Sequence, residues 1–210
     1  MEFSQLNLFG TTVIGIFARA TEKFCFLPPL VSDYLCDEIA KTLGVQISPC
    51  NVMDSNFVGL FLAGNSKSLV SPEKLRIPQP FGVVEGKYSC LGNLILANDK
   101  GALISPLLQN EEKKIASTLG VKTKVGTIAG LSIVGSAAVA NNTGVLAHPG
   151  ITEEETKLIN DILGVPVNVG TLNRGSPYVG TCCLANTKGA MVGYTTTPVE
   201  LARLQEALEG

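Results

Sequence analysis

The sequence predicts an α/β fold of five repeated units, and two observations support that prediction. Apolar residues make up 45% of the 210 positions and charged residues only 16%, below the quarter typical of globular chains. With a mean hydropathy of +0.29, this balance excludes intrinsic disorder and indicates strands buried on both faces. In addition, one short segment recurs along the chain at separations of 33 to 45 residues.

The recurring segment is a glycine in an apolar stretch that ends in a polar turn. Clear copies begin at Leu91, Val134 and Val179, a fourth begins at Val58, and a fainter fifth begins at Ile14. The anchoring glycines are Gly15, Gly59, Gly92, Gly135 and Gly180. Self-similarity of this kind is the signature of a repeat architecture.

Each clear copy predicts a β-hairpin. A short apolar strand is expected directly after the anchor glycine, ending in an Asn-x-x-Gly turn at 98–101, 141–144 and 186–189. Asn favours the first position of a β-turn, and Gly the fourth, where a positive φ is often needed. A second strand is expected directly after each turn, so the two strands pair.

A helix is predicted after the hairpin. Thr152 with Glu155 has the pattern of a capping box, and Pro198 after Thr197 suits the first position of another helix. The buried stripes are predicted to be Leu35, Cys36, Ile39, Ala40 and Leu43 in the first unit, and Leu158, Ile159, Ile162 and Leu163 in the fourth.

Three helices are predicted to end at a Leu-Gly-Val tripeptide. Its glycine is Gly44, Gly120 or Gly164, which suits a left-handed C-cap, and the valine opens a third strand. The unit is therefore ββαβ. The second copy is the exception, because Pro72, Pro78 and Pro80 interrupt the region and predict a shortened or lost helix before a strand at 81–85. No linker divides the chain, so residues 1–210 are expected to form a single domain.

The five units are predicted to close into a ring. An open array needs polar end caps, whereas the first and last copies are as apolar as the others. Five ββαβ units around a pseudo-five-fold axis form the pentein-type α/β propeller. The alternative is a doubly wound α/β sheet, which the tandem hairpins disfavour. The fifth unit lacks a third strand, so residues 1–9 are predicted to supply it and remove an exposed sheet edge.

Composition excludes several classes of function. The net charge of −2 excludes a polycationic nucleic-acid binder. The six cysteines show no CxxC spacing and the chain has one histidine, His148, so no metal site and no cofactor are expected. No apolar segment is long enough to span a bilayer, so we expect a soluble, cytoplasmic protein.

Catalysis is possible in principle, because penteins include enzymes that act on amidine groups through a cysteine nucleophile. Cys182 and Cys183 are predicted to lie in mid-strand on alternate sides of the sheet, without a nearby acidic residue. His148 is expected to be structural. No catalytic residue is therefore predicted, and a non-enzyme is the preferred interpretation. A single hyper-reactive cysteine under iodoacetamide would favour the amidine hydrolase or transferase instead.

The connections between units contain the most distinctive polar residues. Segments 126–130 and 170–176 join the third, fourth and fifth units, and loops on a rigid scaffold often carry recognition. Arg174 is predicted to be exposed at a turn of small residues. The alternative is that these glycines only turn the chain. Lys122 and Lys124 are expected to form one solvated strand face.

These features together resemble the translation initiation factor 6 family, a ribosome anti-association factor of archaea and eukaryotes. The resemblance covers about 3–210 and rests on the five anchors, the Asn-x-x-Gly turns, Leu-Gly-Asn at 91–93 and Gly-Thr-Leu-Asn-Arg-Gly-Ser at 170–176. The stretch 94–106 is most similar to the archaeal branch. The abbreviated second repeat departs from the family pattern and puts in doubt any contact made through that helix.

The resemblance implies a non-enzymatic pentein, expected to be a monomer, that binds the joining face of the large ribosomal subunit and blocks the small subunit. It implies a position beside the sarcin–ricin loop and neighbouring ribosomal proteins, and eviction by a GTPase with a maturation cofactor. Given the net charge, limited rRNA contact is expected, with no membrane and no free DNA as partners. By motif match, the interface candidates are Asn93, Leu60, Asn173 and Arg174.

Overall fold

The computed structural model describes residues 1–210 and contains five three-stranded sheets, consistent with five repeats. The chain starts with β1 (Glu2–Leu6). Unit 1 contains a 3-10 turn (Ile14–Ile16), β2 (Arg19–Ala20), β3 (Phe24–Leu27), α1 (Asp33–Leu43) and β4 (Gln46–Pro49). Unit 2 contains α2 (Val58–Phe61), β5 (Ala63–Gly64), β6 (Leu69–Ser71) and β7 (Phe81–Val83).

The other three units are more complete. Unit 3 contains α3 (Leu91–Leu94), β8 (Ile95–Ala97), β9 (Gly101–Ile104), a 3-10 segment (Pro106–Glu111), α4 (Glu112–Leu119) and β10 (Lys122–Val125). Unit 4 contains α5 (Val134–Ala137), β11 (Ala138–Ala140), β12 (Val145–Ala147), α6 (Glu153–Leu163) and β13 (Val167–Val169). Unit 5 contains α7 (Val179–Cys182), β14 (Cys183–Ala185), β15 (Gly189–Gly193) and α8 (Pro198–Glu209).

Each sheet consists of an antiparallel hairpin and a parallel third strand. This arrangement confirms the ββαβ order in units 1, 3 and 4 and the loss of the helix in unit 2. The predicted origin of the fifth unit's third strand is also confirmed. In this sheet β1 pairs with β15, with Glu2 opposite Gly189 and Leu6 opposite Gly193.

The helix ends agree with the sequence signals. Gly44, Gly120 and Gly164 all have positive φ, between 58° and 63°. The predicted capping box of α6 is present, and α8 begins at Pro198 as predicted, with a second capping box that was not predicted from the sequence. The predicted stripes are buried at Ile39, Leu43, Ile159 and Leu163 and half-buried elsewhere. No helix of the chain is long and apolar enough to cross a membrane.

The prediction that a strand starts directly after each anchor glycine was wrong. The glycines lie in short helical turns, and the strand begins where the turn ends. The physical reason is close contact between successive turns. A Cβ on Gly92 would lie less than 3.0 Å from the carbonyl oxygen of Gly59, and the same holds for Gly59 against Gly15, Gly135 against Gly92, Gly180 against Gly135, and Gly15 against Gly180.

Two further predictions about these segments were wrong. Cys182 ends α7 and Cys183 opens β14, so the two cysteines do not share a strand. The glycines that end the Asn-x-x-Gly turns do not have positive φ. Instead, Gly101, Gly144 and Gly189 leave room for the next helix, since a Cβ there would clash with a carbonyl oxygen near its C-terminus.

Buried asparagines connect each unit to the next. The Nδ2 of Asn98 donates to the carbonyl oxygens of Asn141 (3.1 Å) and Leu163 (3.0 Å). Asn65, Asn141 and Asn186 repeat this pattern. Unit 1 has Thr21 at the position of the asparagine. There Gln79 connects units 1 and 2, because it accepts a hydrogen bond from Thr21 Oγ1 and donates one to Asn65 O (2.7 Å).

Candidate functional site

The turns between units, the short helical turns and the N-termini of the long helices lie at one end of the strands, here called the turn face. Each hairpin runs from a helical turn to the opposite end and back, and the third strand runs parallel to the second. Its C-terminal end, where the connection to the next unit begins, therefore returns to the level of the helical turns. Loops held in this way by rigid strands are suited to recognition.

The connections on the turn face are tight turns with strained backbone. Isolated bridges hold Leu8 to Thr11, Val52 to Ser55, Ile128 to Leu131 and Leu172 to Ser176. Positive φ occurs at non-glycine positions in all four, namely Phe9, Met53, Asp54, Ala129, Asn173 and Arg174. Positive φ at successive central residues is the backbone of type I′ turns, which non-glycine residues adopt at a cost.

Carboxylates from the long helices support two of these turns. Glu200 accepts hydrogen bonds from the backbone N–H groups of Arg174 (3.1 Å) and Gly175 (2.8 Å) and from the hydroxyl of Thr171 (2.9 Å). Glu155 does the same for Ala129 (2.8 Å) and Gly130 (3.0 Å). These contacts offset the strain of the two turns, so the loop geometry is fixed before any partner binds.

The same hydrogen bonds set the ionisation of both groups. Burial by itself raises the pKa of Glu200, but hydrogen bonds from Thr197, Gly175 and Thr171 outweigh it and hold this pKa below its ordinary value of 4.5. The pKa of Glu155 is lowered in the same way, against burial, by bonds from Thr127, Gly130, Thr152 and Ala129. Both side chains are therefore charged at neutral pH.

Replacing Glu200 by Gln should lower the free energy of unfolding at pH 7 by on the order of 1 kcal/mol, because bonds to a charged acceptor are lost. The folded pKa is depressed, so this stabilisation is present above pH 4.5 and is lost as the pH falls through the folded pKa. Urea unfolding between pH 7 and pH 3 should therefore show a shallower acid dependence in the variant. Glu85→Gln, an exposed change outside any helix, is the control and should alter neither quantity.

The structure separates the roles of Asn173 and Arg174. Arg174 is exposed, and its side chain forms no ion pair or hydrogen bond within the chain. In contrast, Asn173 donates from Nδ2 to Thr12 O (2.8 Å) and accepts from Thr196 Oγ1 (3.0 Å). Arg174 is thus free to bind a partner, whereas the polar atoms of Asn173 already hold the loop against unit 1.

Leu60 and Asn93 occupy equivalent positions in adjacent units. Each follows the anchor glycine, in α2 and α3, and these two helical turns pack against one another. Both residues are half-buried, and the side-chain amide of Asn93 makes no hydrogen bond within the chain. This pair therefore combines an apolar side chain with an unused amide on the turn face.

Sequence reasoning missed an aromatic patch beside these residues. The ring centroids of Phe9 and Phe17 are 4.9 Å apart, and those of Phe17 and Phe57 are 5.3 Å apart. Phe9 and Met53 are each 47% exposed and Phe57 is 41% exposed. The available signal was the placement of large apolar residues at tight turns, where small polar residues are usual.

None of the thiols is hydrogen-bonded to the histidine. Burial raises the pKa of Cys25 to about 12 and that of Cys50 to about 11, and burial also raises the pKa of Cys183. These thiols are protonated at neutral pH and so are poor nucleophiles. His148 accepts a hydrogen bond from Gly150 N at Nδ1 (2.9 Å) and contacts Tyr178. No group of three His, Cys, Asp or Glu residues could hold a metal ion.

Comparison with known proteins gives a consistent result. The eIF-6 family model matches residues 3–207. Translation initiation factor 6 of Pyrococcus horikoshii is 38% identical, with 99% of both chains covered. The same factor of Methanosarcina mazei is 36% identical, over 97% of this chain and 96% of the relative, and that of Methanococcus vannielii is 37% identical over 95% of each.

Proposed function

The chain belongs to the eIF-6 family, and we propose that it binds the large ribosomal subunit on its joining face and prevents association with the small subunit. The relatives are named translation initiation factor 6, which supports a role in translation initiation. The observation that supports the binding role is the turn face itself. It combines fixed loops, a free arginine, an unused amide and an exposed aromatic patch.

We infer that the five units form one pentein-type domain closed into a ring. Three observations support this inference: the successive contacts of the anchor glycines, including Gly15 with Gly180; the pairing of β1 with β15; and the bonds from Asn186 to Thr21 O (3.1 Å) and Leu43 O (2.8 Å). A ring of this kind has no exposed end unit, so it would present the turn face as one rigid surface.

The proposed interface assigns a different task to each predicted residue. Leu60 and Asn93 provide apolar contact and hydrogen bonding from adjacent helical turns, and Arg174 provides the only positive charge of its loop. Asn173 acts indirectly, because its bonds to Thr12 and Thr196 hold the Arg174 loop in place. Phe9 and Phe57 extend the apolar part of the surface. Aromatic residues and arginine are the residue types that dominate binding energy at protein interfaces.

The charge balance favours ribosomal proteins over rRNA as the main contact. With a net charge of −2, the chain can neutralise few phosphates, so binding should depend only mildly on salt. We propose a monomeric, cytoplasmic protein with no catalytic activity, because the buried thiols are protonated at neutral pH and no base is paired with any of them.

Asn93→Ser and Arg174→Ala should each weaken large-subunit binding about tenfold, since each removes one interfacial polar group. Co-sedimentation with isolated large subunits measures this, with thermal unfolding as the check on folding. Both variants should melt close to the unmodified chain, because neither side chain is bonded within it. Arg76→Ala, which removes an exposed arginine from unit 2, is the charge-matched control and should bind normally. Unchanged binding in both interface variants, or a salt slope equivalent to six or more phosphates, would contradict the proposed interface.

A further inference from the structure

A small cavity lies between the five units and is lined by residues of the helical turns and of the first strands. Its volume is about 40 Å³, enough for about three water-sized spheres. All five units contribute to its wall, which consists of glycines and apolar residues with one exception. That exception is Arg19 of β2, the only charged residue in the lining.

Arg19 is held rigidly by backbone carbonyls of the neighbouring units. Its Nε donates to Leu62 O (2.9 Å), and its Nη2 donates to Gly92 O (3.1 Å) and Gly59 O (3.4 Å). The third nitrogen, Nη1, makes no hydrogen bond within the chain. Because every fully buried side-chain nitrogen or oxygen has a partner, Nη1 must face open space, and the open space beside Arg19 is the cavity.

The charge of this guanidinium has no counter-charge in the protein. The two ion pairs of the chain, Met1 with Glu209 and Arg203 with Glu206, lie elsewhere. Burial lowers the pKa of Arg19 to about 10, so the group is still charged at neutral pH. Arg19 is half-buried, and a charge largely removed from bulk water without a counter-charge is unfavourable, a cost that carbonyl dipoles offset only in part.

We propose that the cavity binds one small monovalent anion of chloride size, held by Nη1 of Arg19. The N–H groups of Nη1 provide both the charge and the hydrogen bonds that an anion requires. Apart from Arg19 the lining side chains are glycine, aliphatic or the weakly donating Cys183 thiol, so no second charged side chain is present to hold a larger oxyanion.

The route into the cavity also selects for a small ion. The cavity shares Ala20, Gly64, Ala97, Ala140 and Ala185, one from each unit, with a second opening at the asparagine end of the strands. Glu22 and Asp99 line that opening, and their charges repel every anion but multivalent anions most strongly. A small monovalent ion can pass this constriction of small side chains, whereas an organic anion such as gluconate is too large.

Bromide is the probe for the site. Anomalous scattering from crystals of the full chain soaked in sodium bromide should show a peak within hydrogen-bonding distance of Arg19 Nη1. In solution, chloride should raise the melting temperature (Tm) above that in sodium gluconate at equal ionic strength. At ten times the Kd the shift should be about 4 °C. Arg19→Met should lose this difference, and the control Arg76→Met should keep it.

Each alternative outcome has a definite meaning. A cavity containing only water in bromide-soaked crystals, or bromide found only at surface sites, would overturn the proposal. Equal melting temperatures in chloride and gluconate would do the same. If Arg19→Met fails to fold, the bromide peak and the chloride response of the unmodified chain decide the question without it. Ribosome binding plays no part in these readouts, so they are independent of the proposed function.

Discussion

Deleting residues 1–9 should unfold the whole chain cooperatively, rather than loosening one unit. The deletion removes β1 and with it all five register pairs to β15. It also removes side chains from two separate apolar clusters, because Leu6 and Leu8 pack with unit 1 while Phe3 packs with unit 5. Leu6 and Leu8 are only 4% and 1% exposed. Loss of such a leucine side chain typically costs about 2–5 kcal/mol, a large part of the 5–15 kcal/mol that stabilises an average domain.

Thermal and urea unfolding of the truncated chain test this expectation. We expect either no cooperative transition at room temperature or one transition with a Tm lowered by well over 10 °C, since about 1 kcal/mol corresponds to 2–4 °C at this size. Glu2→Ala, an exposed change in the same strand, is the control and should melt normally. A truncated chain that melts within a few degrees of the full one, or in two separate steps, would show that β1 does not join the two ends of the chain energetically.

The origin of this strand could be predicted from sequence because it follows from counting. Units 1 to 4 each contain a third strand of their own, whereas unit 5 reaches Gly210 without one. The caps at Gly44 and Thr152 could be predicted for a different reason. Each depends on a few neighbouring residues, whose local chemistry fixes the backbone whatever the tertiary contacts are.

Other features depend on partners that are distant in sequence. Asn173 binds Thr12, and Gln79 links Thr21 to Asn65, which no local pattern indicates. The helical turn at each anchor glycine was mistaken for strand because four apolar residues fit either structure. Only the approach of the preceding unit distinguishes them.

On the turn face, the sequence correctly predicted that Arg174 is exposed, since the turn is made of small residues. The sequence could not show that the side chain of Asn173 is hydrogen-bonded while that of Arg174 is not, because this depends on where Thr12 of unit 1 lies. Nothing in the sequence indicated that Arg19 lines an internal cavity, because its two-residue strand has no distinctive pattern. In each case the missing information is a contact between units.

Gly92→Ala tests those contacts directly and should be among the most damaging single substitutions in the chain. The added Cβ would lie less than 3.0 Å from the carbonyl oxygens of Gly59, Leu60 and Leu62, all of them backbone atoms. Movement of Gly59 is restricted in turn, because a Cβ there would meet Gly15 and Ala18 in the same way. Overpacking of a tight core costs about 1–3 kcal/mol when side chains can shift, and here only backbone can move. We therefore expect a loss of at least about 3 kcal/mol.

Gly150→Ala is the matched control for this substitution. Gly150 also lacks a positive φ, and its nearest neighbour is the His148 ring, 3.2 Å from the added Cβ, which needs to shift by only a few tenths of an ångström. Its free energy of unfolding should change by less than about 1 kcal/mol. If Gly92→Ala were equally mild in urea unfolding, the anchor turns would not be in rigid contact. The proposed binding through Asn93 could then not depend on their packing. A severe loss confined to Gly92→Ala would instead tie the position of Asn93 on the turn face to the glycine contacts between units.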